Sequence, residues 1–162
     1  ACTFSRKAVE RARTVKNRGF YLDLLQLYDF IQKKDYQYPS TPSLAHMFAL
    51  DYQLDYIINE EGLENRFARH EEMMEMVREW AGRNFALLAE DDIASRTVTT
   101  VVNTKNIDIS ELNRELKKRG MMISNGYGEL KDETFRIAHM ADTTPAQITE
   151  LLDNLDDILG LN

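Results

Sequence analysis

Hydrophobic residues recur at helical spacing in six stretches of the chain, and short β-rich runs are concentrated in its second half. The predicted helices are 5–15, 21–33, 42–60, 63–80, 108–118 and 144–159. The predicted strands are 85–88, 97–102, 121–123 and 134–139. Apolar side chains three and four residues apart indicate helices that bury one face, whereas runs rich in Val, Thr, Ile and Phe indicate strands.

Capping residues support several of these helix boundaries. Ser5 and Asp108 precede helical runs, and Thr144-Pro145-Ala146-Gln147 combines an N-cap hydroxyl, a first-turn proline and a capping-box glutamine. We also expect Thr41 to cap the third helix, with Pro42 in its first turn. Gly82 is expected to end the fourth helix.

The apolar positions predict which faces of the two middle helices are buried. In the third helix they are Leu44, Met47, Phe48, Leu54, Ile57 and Ile58, and in the fourth they are Leu63, Phe67, Met74, Val77 and Trp80. In the second half of the chain, the predicted elements follow the order strand, strand, helix, strand, strand, helix. That order predicts an α+β layer, in which helices cover one face of a short, mostly antiparallel sheet.

Charge and cysteine content narrow the classes of function. The 162 residues carry a formal net charge of -7, which repels phosphate backbones, so we expect no nucleic-acid partner. Cys2 is the single cysteine, so an internal disulfide and a cysteine-based zinc site are excluded. Without an apolar run of about 18 residues we expect no membrane span, and we predict a cytoplasmic chain.

Arg136 is the first candidate binding residue. It lies in Phe135-Arg136-Ile137-Ala138-His139-Met140, and strand alternation places Phe135 and Ile137 on one face and Arg136 on the other. A guanidinium has the geometry for bidentate binding of a carboxylate. The alternative is that Arg136 lies on the solvated face of an edge strand.

Tyr38 and Thr41 are the second candidates, because a hydroxyl beside the N–H groups of a helix start is a common phosphate site. The alternative is that Thr41 only caps its own helix and that Tyr38 is an aromatic residue of the loop. The acidic stretch after His70 lacks a second nitrogen ligand at helical spacing, so no metal site is expected there. His46 and His139 have no serine or cysteine that the sequence places beside them, so we expect each to be a buried, hydrogen-bonded histidine. The run 125–128 is interpreted as a turn whose backbone could approach a ligand.

Four stretches, in this order, resemble the class V aminotransferases, the pyridoxal-phosphate enzymes that include alanine–glyoxylate and serine–pyruvate aminotransferases. The stretches are 3–10, 38–43, 61–66 with 69–70, and 135–142. The last is the most specific. The resemblance spans nearly the whole chain and implies the small C-terminal domain of a fold-type I enzyme, preceded by helices from the end of the large domain.

The resemblance implies that Arg136 binds the substrate carboxylate, and that Tyr38 and Thr41 contact the phosphate of pyridoxal 5'-phosphate in the neighbouring subunit. It therefore implies a homodimer that acts on a small amino acid, alanine- or serine-like, and a 2-oxo acid, pyruvate- or glyoxylate-like. Ala138 and Ala141 stand where the family usually has glycine. Their methyl groups are expected to narrow the substrate pocket or to shift the following loop.

In this family the Schiff-base lysine lies upstream of every matched stretch, so no catalytic residue is expected in this chain and the isolated chain is expected to be inactive. Lys7 and Lys16 are not candidates for the nucleophile. Residues 1–61 are expected to be the trailing part of the large cofactor domain, and residues 62–162 the small domain. Three alternatives stay open. The first is a non-catalytic binding or dimerisation module of the same fold, and the second is part of a cysteine desulfurase, for which Cys2 lies too early. The third is a generic α+β interaction domain unrelated to pyridoxal phosphate, which would leave the ordered matches unexplained.

Overall fold

The computed structural model describes residues 3–33 and 38–161. Cys2 and residues 34–37, which belong to the predicted loop before the third helix, lie outside the described residues. The chain divides into two compact units, Ala1–Gln53 and Leu54–Asn162. In neither unit does a described helix combine the length and apolar composition needed to cross a membrane.

The first unit contains a pair of short helices, α1 (Arg6–Thr14) and α2 (Leu24–Lys33). The Ser5 hydroxyl accepts a hydrogen bond from the backbone N–H of Ala8 at 3.2 Å, which confirms the predicted cap of α1. α2 begins three residues later than predicted, because the Asp23 carboxylate accepts from the N–H of Leu25 at 3.1 Å and caps the helix there. Arg13 and Asp29 join the two helices through an ion pair of 2.9 Å.

α3 (Leu44–Asp55) is apolar around most of its circumference but has no buried residue within this chain. Phe48 is 72% exposed, and most of the side chains predicted to be buried are exposed: Leu44, Met47, Phe48, Leu54 and Ile58. The prediction that this face of α3 is buried is therefore wrong for this chain. The predicted continuous helix 42–60 is also corrected, since Tyr56–Glu61 forms a π-helix after α3.

α4 (Leu63–Asn84) is the longest helix and lies on the core of the second unit. Val77 and Trp80 are buried as predicted, but Met73 rather than Met74 is fully buried, and Leu63 and Phe67 are exposed. The predicted end at Gly82 is wrong, because that glycine does not adopt a positive φ and the helix continues through it. The N–H of Phe85 closes the last turn on the carbonyl of Ala81 at 2.7 Å.

A four-stranded antiparallel sheet forms the other layer, with strand order β1-β2-β4-β3. Its strands are β1 (Ala86–Leu87), β2 (Val98–Val102), β3 (Ser124–Asn125) and β4 (Thr134–Ala138). The predicted strand 121–123 is wrong in position, because β3 begins only at Ser124; Ile123, directly before it, packs into the core. The two long strands pair in a register that places Val101 opposite Phe135 and Thr99 opposite Ile137.

Two further helices complete the layer, α5 (Ile109–Lys118) and α6 (Pro145–Leu159). Asp108 caps α5, and Thr144 with Gln147 forms the predicted capping box of α6. The core consists of one face of the sheet and the inner faces of α4, α5 and α6, with Trp80, Phe135, Ile137, Leu116 and Leu155 at its centre. The α+β layer predicted from the sequence is thereby confirmed.

Candidate functional site

Arg136 lies in the middle of β4, which is an interior strand between β2 and β3. The edge-strand alternative is therefore wrong. Phe135 and Ile137 point into the core and are fully buried, so Arg136 belongs to the opposite face, where it is half-buried. Its cross-strand neighbours are Thr100 on β2 and Ser124 on β3. Both are small and polar, so the guanidinium has room on this open face.

One hydrogen bond orients the Arg136 side chain. Its Nε donates to the carbonyl oxygen of Asn125 at 3.1 Å. Within residues 3–33 and 38–161, the two terminal amino groups form no ion pair or hydrogen bond with a side chain. A guanidinium held by Nε, with its terminal amino groups unoccupied, presents the two parallel donors that bind a carboxylate.

Tyr38 and Thr41 lie ahead of α3 and are both exposed, with 51% of Tyr38 accessible. Thr41 is not the helix cap that the sequence predicted. α3 starts at Leu44, and the carbonyl of Ser43 accepts the first helical hydrogen bond, from Met47 at 3.1 Å. Pro42 consequently lies outside the first turn. The alternative that Thr41 only caps its helix is excluded, and its hydroxyl bonds to no other described residue.

Tyr38 and Thr41 belong to the first unit, whereas Arg136 belongs to the second. Each of these candidate binding residues is therefore described only by its contacts within its own unit. The turn at 125–128 needs no ligand to explain its glycine, since Gly126 packs against the carbonyl of Leu130. Among the described residues, no three His, Cys, Asp or Glu side chains are grouped as metal ligands.

A partly buried charge cluster lies at the start of α4, in a stretch that the sequence singled out only through the family resemblance. The Glu61 carboxylate accepts from Arg66 at 2.6 Å and from Arg69 at 2.6 Å, one oxygen for each arginine. Burial of Glu61 raises its pKa, but hydrogen bonds from Arg69 and Arg66 outweigh that effect and hold the pKa below its usual value. The sequence carried no periodic signal for this cluster, since Glu61 lies five residues before Arg66 and eight before Arg69, outside the i,i+3 and i,i+4 spacing of helical ion pairs.

His139 directly follows β4 and is fully buried. Its Nε2 lies 2.9 Å from the Thr99 hydroxyl, and its Nδ1 has no partner among the described residues. Burial lowers the pKa of the imidazole, so the ring is neutral near pH 7. His70 is also buried, with Nδ1 2.6 Å from the carbonyl of Arg66. The prediction that His139 is a buried, hydrogen-bonded residue is therefore confirmed, whereas the same prediction for His46 is wrong, since His46 is exposed on α3.

Both the sequence and the fold of this chain are similar to those of known proteins. No family model matches the chain. It is 36% identical over 145 residues to an uncharacterised aminotransferase of Methanocaldococcus jannaschii, covering 86% of this chain and 37% of that protein. It is 31% identical over 160 residues to serine–glyoxylate aminotransferase of Arabidopsis thaliana, covering 96% of this chain and 39% of that enzyme.

The solved structure of pyridoxamine–pyruvate aminotransferase from Mesorhizobium loti superimposes with a TM-score of 0.81 at 27% identity. That match covers 97% of this chain and 41% of the other. The chain thus spans about two fifths of the length of the relatives it matches. By sequence and by fold, the chain is related to the class V aminotransferases and corresponds to the C-terminal part of their fold-type I architecture.

Proposed function

We propose that this chain is the C-terminal part of a pyridoxal-phosphate-dependent aminotransferase, in which Arg136 binds the α-carboxylate of the substrate. In the same proposal, residues 1–61 are the trailing part of the large cofactor domain and residues 62–162 are the small domain. Transfer of an amino group requires a substrate held in one orientation. A bidentate arginine at a fixed position supplies that orientation.

The main support for the proposal is the position of Arg136 in the sheet and its hydrogen bonding. It lies on an interior strand, its Nε is fixed by the Asn125 carbonyl at 3.1 Å, and its terminal donors are directed away from the core. The small neighbours Thr100 and Ser124 leave space beside the guanidinium. Although the chain is acidic overall, a short-range bidentate contact outweighs a screened surface field.

The exposed hydroxyls of Tyr38 and Thr41 fit the phosphate of the cofactor, since neither is used within the described part of the chain. A hydroxyl without a partner in its own chain can donate a hydrogen bond to a phosphate oxygen. The cofactor, when bound, supplies the electron sink for amino-group chemistry. The residues of this chain then have two tasks: Tyr38 and Thr41 hold the phosphate of the neighbouring subunit's cofactor, and Arg136 orients the substrate.

The substrate pair follows from the same proposal. A small amino acid, alanine- or serine-like, donates the amino group, and a 2-oxo acid such as pyruvate or glyoxylate accepts it. Glyoxylate and pyruvate are named as substrates of the two relatives at 31% and 27% identity. Because the phosphate contacts come from the neighbouring subunit, the active protein in this proposal is a homodimer.

The test is Arg136→Gln in the full-length protein that carries this chain. Gln retains a donor for the Asn125 carbonyl but loses the charged pair of donors, so kcat/KM for the amino acid should fall about 100-fold. The matched control is Arg114→Gln on α5, whose guanidinium is exposed and pairs with Glu111. It should leave kcat/KM within about twofold. Equal loss in both variants would contradict the assignment, and absence of transamination in the wild type would favour a non-catalytic module.

A further inference from the structure

Glu61 ends the π-helix, and Arg66 and Arg69 lie on the first two turns of α4. Between them, Gly62 adopts φ +82°, which turns the chain so that Glu61 faces both arginines. Only 13% of the Glu61 side chain is exposed, and the values for Arg66 and Arg69 are 14% and 20%. Each oxygen of one carboxylate binds a different guanidinium, so the two arginines are held in fixed positions.

The arginines use their remaining donors on the loop that joins β4 to α6. Arg69 donates to the carbonyl oxygens of Ala141, at 3.0 Å, and of Thr143. Arg66 donates to the Asp142 carboxylate at 3.4 Å. Three successive loop residues are therefore contacted by the same pair of arginines, across more than 70 positions of sequence.

This loop has a conformation that requires support. Ala141 adopts φ +58°, a left-handed conformation that is unfavourable for a residue with a Cβ. On one side of it, His139 is buried and bonded to Thr99, and on the other Thr144 starts the capping box of α6. The Arg69 contacts to the carbonyls on either side of Asp142 hold the loop in that state.

We propose that Glu61, Arg66 and Arg69 are positioning residues: through the loop 140–144 they fix the end of β4, and with it the direction of the Arg136 guanidinium. None of the three contacts Arg136, which lies only five residues before Ala141. A small displacement of a binding group away from its productive geometry is enough to weaken catalysis by large factors. The inference rests on the proposed role of Arg136.

The experiment is Glu61→Gln in the full-length protein, with two measurements. Hydrogen exchange of the backbone amides of Thr143 and Thr144, which bond to the Met140 carbonyl and the Gln147 side chain, should accelerate about tenfold, because a neutral side chain at position 61 no longer holds both arginines. KM for the amino acid should rise about tenfold, while KM for the corresponding amine without a carboxylate stays within about twofold. A role in stability alone would change the two substrates equally.

The matched control is Glu79→Gln on the same helix, since Glu79 forms an exposed ion pair of 2.6 Å with Arg83. It should change neither measurement. If Glu61→Gln does not fold, Arg69→Lys is used instead, which keeps the charge but loses the fork that reaches both carbonyls. Unchanged exchange in the loop would overturn the inference. If the wild-type protein has no aminotransferase activity, the function fails, but the exchange measurement still tests the cluster.

Discussion

Gly126 occupies the tightest position of the turn between β3 and β4. Its N–H donates to the carbonyl of Thr134 at 2.8 Å, and an added Cβ would lie 1.8 Å from the carbonyl oxygen of Leu130. The two nearest atoms belong to the Leu130 backbone, so they cannot move aside without breaking the turn. The turn also carries the Asn125 carbonyl that orients Arg136.

We therefore predict that Gly126→Ala lowers the free energy of unfolding by about 2–3 kcal/mol, as overpacking against rigid backbone does. Gly82→Ala is the control, since Gly82 lies inside α4 with no atom within 4 Å of an added Cβ. It should raise stability by about 0.5–1 kcal/mol through helix propensity. Urea denaturation of both variants measures the difference, and equal effects would refute the close-packing argument.

His139 makes stability depend on pH. Burial holds the imidazole pKa below its ordinary value of 6.5, so the unfolded chain takes up the proton first as the pH falls. A group with a depressed folded pKa contributes stability above its unfolded pKa, and that contribution is lost as the pH falls towards the folded pKa. The free energy of unfolding should consequently decrease below about pH 6.5.

Chemical denaturation between pH 7.5 and pH 5.5 measures this loss. His139→Gln should flatten the pH dependence over this range, because the replaced side chain does not titrate. A slope that survives in His139→Gln would show that another group is responsible.

At the scale of elements, capping residues in the sequence correctly predicted a helix boundary wherever only one side chain could cap the helix. The capping box of α6 is the clearest case, with the Thr144 hydroxyl accepting from the N–H of Gln147 at 3.3 Å and the Gln147 side chain accepting from the N–H of Thr144 at 3.0 Å. Thr41 failed as a predicted cap because Ser43, two residues later, begins the same helix. A sequence with several adjacent hydroxyls does not distinguish between them.

Thr144→Ala should therefore destabilise the fold by about 1 kcal/mol, because it leaves N–H groups of the first turn unsatisfied. Thr149→Ala in the same helix is the matched control. Its hydroxyl bonds only back to the carbonyl of Pro145 at 3.2 Å, and alanine favours the helix, so the change should be neutral or slightly stabilising. Thermal unfolding of the two variants compares the effects, and a larger loss in Thr149→Ala would contradict the cap assignment.

The sequence predicted the α+β layer and the apolar core, since both depend on local periodicity. It did not predict the cluster of Glu61, Arg66 and Arg69, because the partners of these arginines lie at Ala141, Asp142 and Thr143. Contacts between residues so far apart in sequence leave no periodic pattern. The sequence also did not predict that Arg136 lies on an interior strand, because the order of strands is a property of the assembled sheet.

At the scale of the whole molecule, α3 explains why burial predictions failed in the first unit. Apolar spacing indicates that a face avoids water, but it does not identify the chain segment that covers the face. The described chain leaves Phe48, Met47 and Leu44 exposed. In the proposed full-length aminotransferase, the rest of the large domain supplies the contacts that these side chains lack.

The central claim is that Arg136 recognises the substrate carboxylate. The most direct measurement compares single-turnover amino transfer from alanine and from ethylamine, which lacks the carboxylate, in the full-length wild-type protein and in Arg136→Gln. The account predicts a wild-type preference for alanine of about 100-fold or more, which falls below about tenfold in the variant. A variant that retains the wild-type preference would contradict the account, because another group would then bind the carboxylate.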